Sequence, residues 1–172
     1  MGNANRAVDL LLGGFQINSV TTWQSGLPFT PTYANCGQDQ DVGVCRVIIS
    51  GDIKTDGDRN GFFTTIPTAL ANPGDSAGPY TRPLAGEFGS KRNGLIGPGY
   101  FNTDLSVAKN FPISERFRAQ FRAEALNVFN HVNLGQPNGC VDCGPTSGSG
   151  TITSIASNSL MRNFQFGLRV EF

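Results

Sequence analysis

Four cysteines fall in two close pairs, Cys36 with Cys45 and Cys140 with Cys143, each inside a glycine-rich stretch. An even count in loops is what an oxidising compartment tolerates as two small disulfides. Free thiols are the second reading. A zinc site is the third, since only Cys140/Cys143 has the C-x-x-C spacing and four ligands must converge. Asp56, Asp58 and Asn60, followed by Gly61, match the first half of a calcium loop. The bidentate acid due at the twelfth position is replaced by Pro67. These three residues are thus a weak calcium candidate beside an ordinary solvated Asx turn. No other cofactor is expected. His131 is the single histidine, so no Ser-His-Asp set can be assembled, and neither a phosphate-binding glycine loop nor an H-E-x-x-H motif is present. The chain is not expected to be an enzyme.

The elements that must carry these residues read as strands. Phe164, Phe166, Leu168, Val170 and Phe172 alternate with Asn163, Gln165, Gly167, Arg169 and Glu171 up to an aromatic end. Period two places one set on each face of an extended strand. An outer-membrane barrel strand has lipid on one face and lumen on the other; the closing strand of a soluble sandwich is the competing reading. Residues 12–24 behave alike, with Phe15, Ile17, Ser19, Thr21 and Trp23 on one face. Phe15 and Trp23 are eight residues apart, about 26 Å along a strand and ~20 Å once tilted, close to the spacing of two aromatic girdles.

Pro28 and Pro31 stop or edge the pairing that follows. Residues 31–97 form a long polar loop with no clear periodicity beyond Arg46 to Ile49, and residues 130–161 form a second. A strand is expected over 99–110, then a tight reversal at Asn110 to Ser114. Residues 115–129 are ambiguous. Phe117, Phe121, Ala125 and Val128 would line one helical face. Read as a strand, the odd positions are apolar and the even positions polar. The turn before it and the strand after it favour β. On that reading Asp104, Arg116, Arg118, Gln120, Arg122 and Glu124 form one polar, lumen-facing set. It pairs with other charges, lines a ligand path, or is simply solvated.

Composition agrees. The 13 basic and 13 acidic residues cancel, which argues against nucleic acid as a partner. Charged residues make up only 15%, below the ~25% of ordinary domains. Glycine, proline and phenylalanine are plentiful between polar loops. No run of 18 apolar residues could form a membrane helix. No secretory leader is visible at Met1 to Leu12; the expectation is either a cytosolic protein or a piece of a larger chain. The predicted fold is all-β: an antiparallel meander of about four long strands with long extracellular loops, a partial segment of a large transmembrane barrel. Length suggests one domain.

Three segments, Gly14 to Tyr33, Arg92 to Asn138 and Phe164 to Phe172, resemble the carboxy-terminal end of TonB-dependent outer-membrane receptors. The resemblance is to the Oar-like group with a carboxypeptidase-regulatory-like domain at the front, and FRAEALNVFNHVN and the terminal phenylalanine carry it. It implies a barrel of about 22 strands with a plug, in the cell outer membrane, powered by the TonB complex and taking up a nutrient such as a siderophore or oligosaccharide. It also implies that Phe164, Phe166, Leu168, Val170 and Phe172 are read by the barrel-assembly machinery. His131 is in that family a structural motif residue. The sequence departs from the pattern in showing no plug and no TonB box. Four strands cannot close a barrel, which needs ~8. Outer-membrane lipid, the remaining barrel and plug, or further copies joined through open edges are therefore the expected partners. The alternative function is a secreted or surface β-rich structural or adhesive protein whose strands pair between chains; a small soluble β-sandwich binding module is the least favoured.

Overall fold

The structure, a computed structural model, describes residues 12–36, 45–114, 116–144 and 148–172. It is all-β: the elements among the described residues are strands. The chain divides into two units. One takes its residues from the chain up to Trp23, from Phe101–Val132 and from Asn158–Phe172; the other from Gln24–Tyr100 and Asn133–Ser157.

The first unit is a sheet of four strands: β1 (Phe15–Gln24), β7 (Tyr100–Pro112), β8 (Arg118–Leu126) and β9 (Asn163–Glu171), in that spatial order. β7 and β8 pair antiparallel from Leu105↔Ala125 to Pro112↔Arg118. β8 and β9 do so from Arg118↔Glu171 to Leu126↔Asn163. Asn110 N–H donates to Gly14 O at 2.9 Å, and the Thr21 and Thr103 hydroxyls lie 3.1 Å apart, so β1 also runs against β7. Residues 115–129 thus hold a strand and not a helix. Its register sets Phe121 opposite Lys109 and Leu168, and Ala123 opposite Val107 and Phe166. A slip of one residue would turn every apolar side chain to the other face.

The strand ends differ from the sequence reading for local reasons. β7 continues to Pro112, and the reversal falls at 113–117. There the Ile113 and Ser114 N–H groups donate to Phe117 O, and Phe117 N–H donates to Ser114 Oγ. Arg116 therefore sits in this turn and not on the strand face expected for it. β8 stops at Leu126 because Asn127 and Asn130 adopt φ of 49° and 52°, a left-handed conformation that asparagine tolerates better than most residues.

Much of the second unit comes from residues 31–97 and 130–161, read from the sequence as two long polar loops; among its described residues the structure shows short strand pairs and a core. Short pairs β2 (Pro28–Phe29) with β6 (Leu95–Ile96), and β3 (Ile48–Ile49) with β5 (Tyr80–Thr81) and β4 (Ser76–Ala77), frame it. Phe29, Tyr33, Val47, Phe62, Phe63, Ile66, Leu70, Tyr80, Leu95, Val141 and Ile152 form a buried core. Burial of side chains this size stabilises by roughly 1.5–3 kcal/mol each. The apolar residues are spaced irregularly because few of them lie in strands, so no period marks them.

Candidate membrane and lumen surfaces

The register sorts the first unit's side chains by parity. Phe15, Ile17 and Trp23 of β1, Val107 and Phe111 of β7, Phe121 and Ala123 of β8, and Phe164, Phe166, Leu168 and Val170 of β9 share one face. Many of its large side chains, those of β1 and β9 above all, are not packed against protein. Phe166 and Leu168 are each 71% exposed and Trp23 is 85% exposed. The Phe121 and Phe166 rings stack at 6.2 Å. In water, so large a contiguous apolar surface is a docking or aggregation site; against hydrocarbon it is the ordinary outer wall of a barrel. Aromatic rings mark both ends of the band. Phe101 stacks on Phe129 at 6.0 Å and meets the His131 ring edge-on at 5.8 Å, so the histidine completes an aromatic cluster at the β8 exit. Phe15, Phe111 and Phe117 stand near the turn.

Lys109 belongs by parity to this apolar face, which a period-two reading alone makes an anomaly. The structure resolves it near the end of the band. Its Nζ lies 4.1 Å from the Phe15 ring centroid and 5.7 Å from that of Phe111, and it donates to Gly13 O. The long stem thus delivers the ammonium to a carbonyl and two ring faces.

The opposite face is polar, and most of the expected lumen set meets there. Asp104 accepts from Asn102 Nδ2 at 3.0 Å and from the Asn127 N–H at 2.8 Å. Gln120 Nε2 donates to Asn110 Oδ1 at 2.9 Å. Arg122 and Ser106 each reach Glu124 Oε1 at 3.5 Å. Arg118 lies opposite Glu171 in the ladder. Arg169 and Glu171, paired at 2.8 Å, join the set and follow from the same alternation. The Arg122–Glu124 and Arg169–Glu171 pairs are open to solvent and contribute little to stability; together these residues make a polar wall of mixed charge.

Asn127 was not legible as special. It is 2% exposed; its Nδ2 donates to the carbonyls of His131 and Leu160 at 2.9 and 2.8 Å, and its Oδ1 accepts from the His131 N–H. One side chain thereby ties the exit of β8 to the approach of β9.

In the second unit the four cysteines form Cys36–Cys45 and Cys140–Cys143 disulfides. Cys140, Cys143 and Asp142 are the one group of three metal-ligating side chains found together among the described residues. The disulfide removes the thiolates a metal would need, so the zinc alternative does not fit. Asp142 instead staples backbone, accepting from Ala34 N–H at 2.7 Å and Leu70 N–H at 2.8 Å. Arg82, fully buried, donates to the Leu70 and Ala71 carbonyls and lies over the Tyr33 ring at 5.1 Å. Asp58, of the calcium candidate Asp56/Asp58/Asn60, accepts the Asn60 N–H at 2.8 Å, the geometry of an Asx turn. Tyr80 donates its hydroxyl to Thr64 O at 2.5 Å, and burial pushes its phenol well above its ordinary range.

Searches of curated proteins and of solved structures returned no match. A family model described as an outer membrane beta barrel domain matches residues 1–165. The match covers nearly the whole chain, so the chain belongs to the outer membrane beta barrel domain family, and its place is the outer membrane.

Proposed function

We propose that the chain supplies the carboxy-terminal barrel wall of a TonB-dependent transporter that takes up a nutrient such as a siderophore or oligosaccharide. It frames a ligand path and catalyses nothing. The observation that carries this reading is the pair of sheet faces: a largely exposed apolar face behind a polar face of mixed charge. The similarity of FRAEALNVFNHVN and the terminal phenylalanine strand to such receptors supports the finer assignment. β1 and β9 each have one unpaired edge among the described residues. Unsatisfied backbone groups are not tolerated in lipid, so further strands must pair with both. The adhesive alternative predicts strand pairing between chains in water; a wall of exposed Phe, Leu and Trp fits that poorly.

The test is uptake by cells carrying the intact gene, with and without the inner-membrane energy-coupling protein. A panel of ferric siderophores and maltooligosaccharides serves as probe. Uptake of at least one probe that disappears when the gene or the energy-coupling protein is deleted supports the proposal. Uptake that survives loss of energy coupling points to a passive channel. Fibres forming without detergent would point to the adhesin.

A further inference from the structure

The two disulfides of the second unit lie in different surroundings. Cys36 is exposed; Cys45 is half-buried, packs against the core, and accepts the Tyr33 N–H through its carbonyl at 3.2 Å. Cys140 is buried, and Asp142 Oδ1 lies 3.5 Å from its sulfur. That carboxylate is fixed by the Ala34 and Leu70 N–H groups. The segment carrying it is fixed as well. Thr32 N–H donates to Gly139 O, Val141 N–H to Thr32 O, and Ile66 N–H to Val141 O.

A thiol opens a disulfide by displacement. A thiolate bonds to one sulfur while the other leaves as a thiolate; a second thiolate then displaces the first cysteine from the mixed disulfide. Two reagent thiols become one disulfide, their protons pass to the two cysteines, and the protein gains the electron pair. The rate depends on access and on how well the leaving sulfur carries negative charge. At Cys36–Cys45 the exposed Cys36 is open to attack, and attack at Cys45 releases Cys36 into water. At Cys140–Cys143 only the half-buried Cys143 is open to attack. That attack must expel Cys140 as a buried thiolate facing a carboxylate, and burial and like charge both disfavour it. Spacing adds to the contrast. Cys140 and Cys143 are 3 residues apart in this pinned segment, against 9 for Cys36 and Cys45. Sulfurs kept so close reclose before a second thiol arrives.

We propose that Cys36–Cys45 is a redox-labile clip, opened by low-molecular-weight thiols, while Cys140–Cys143 is the resistant bond of the unit. Opening the clip leaves the core standing, because Thr32, Ala34, Ile66 and Leu70 keep their bonds to the 139–142 segment.

The test uses the full chain purified from its own outer membrane in detergent. It is exposed to graded reduced glutathione and quenched with iodoacetamide, and the labelled peptides are identified by mass. Cys36 and Cys45 are expected to label at least about tenfold faster than Cys140 and Cys143, the factor a poorer leaving sulfur and restricted access together produce. Protein reduced at the first pair alone should keep its second unit protected from limited proteolysis. Asp142→Asn, which keeps the acceptor oxygen and removes the charge, should speed labelling of Cys140 and Cys143 and leave Cys36 and Cys45 unchanged. Equal or reversed rates in the unmodified protein overturn the inference. So does labelling of neither pair until denaturant is added, or opening of the unit when only Cys36–Cys45 is reduced. These readings need no variant, so a folding failure of Asp142→Asn leaves the inference open to refutation.

Discussion

Arginine placed at Phe166 probes the membrane reading more sharply than any other change. Phe166 is one residue, about 3.3 Å, from the centre of β9 (Asn163–Glu171), close to the middle of the apolar band. An arginine at the bilayer midplane of a barrel costs ~2–4 kcal/mol. Loss of the Phe121–Phe166 ring stack adds about 0.5–1.5 kcal/mol. The sum, about 2.5–5.5 kcal/mol, lowers the folded-to-unfolded ratio by roughly two to four orders of magnitude. The matched control is Gln165→Arg, one residue away on the polar face and opposite Glu124 in the ladder. There the new charge is hydrated and gains an acidic neighbour, so stability should change by less than ~1 kcal/mol. Both variants are expressed in the protein's own outer membrane and followed by the amount of heat-modifiable protein and by the urea midpoint of the isolated membranes. Phe166→Arg should be nearly absent or strongly weakened, and Gln165→Arg should match the parent. Equal effects at the two positions, or the reverse order, would falsify the division of the sheet into a lipid face and a lumen face.

Asn127→Ala removes three hydrogen bonds and leaves a side chain with poor tolerance of φ near 49°; a loss of about 2–4 kcal/mol is expected. Asn127→Gly recovers only the conformational part, which urea titration of the two variants would separate. Reduction of both disulfides, or Asp142→Ala, should open the second unit to limited proteolysis while β7 to β9 stay protected; protection of both units after either treatment contradicts the staple. The raised phenol of Tyr80 gives a pH dependence: its contribution is fully present below the ordinary tyrosine range, about 10, and is lost as pH rises above it, because the unfolded chain releases that proton first. Alkaline titration of tyrosine absorbance should show a late phase that Tyr80→Phe abolishes. Lys109→Glu should impair membrane assembly, since it places an acid among the Gly13 carbonyl and two ring faces, whereas Lys109→Arg should be tolerated.

The sheet was legible in the chain because period two is a local property. Phe15 to Trp23, Tyr100 to Phe111 and Phe164 to Phe172 each declare their faces through side-chain chemistry alone, whatever they pair with. Residues 115–129 were harder: arginine, alanine, glutamate and leucine suit a helix, and the ladders to β7 and β9 overrode that preference. The cysteine pairing was also near at hand, since close spacing leaves few partners. What lay beyond the sequence was everything set by contacts distant along the chain. Phe29, Val47, Phe63, Tyr80, Val141 and Ile152 look like stray apolar residues in polar loops until tertiary structure gathers them into a core. Asn127, Asp142 and Arg82 look like ordinary polar residues until their carbonyl and N–H partners are brought to them. Lys109 interrupts an apolar alternation, and only the three-dimensional arrangement brings the Gly13 carbonyl and the Phe15 and Phe111 rings to its ammonium. A pattern along the backbone can state which way a side chain points; what it meets there depends on segments as far as 108 residues away, as between Ala34 and Asp142, and only folding brings those together.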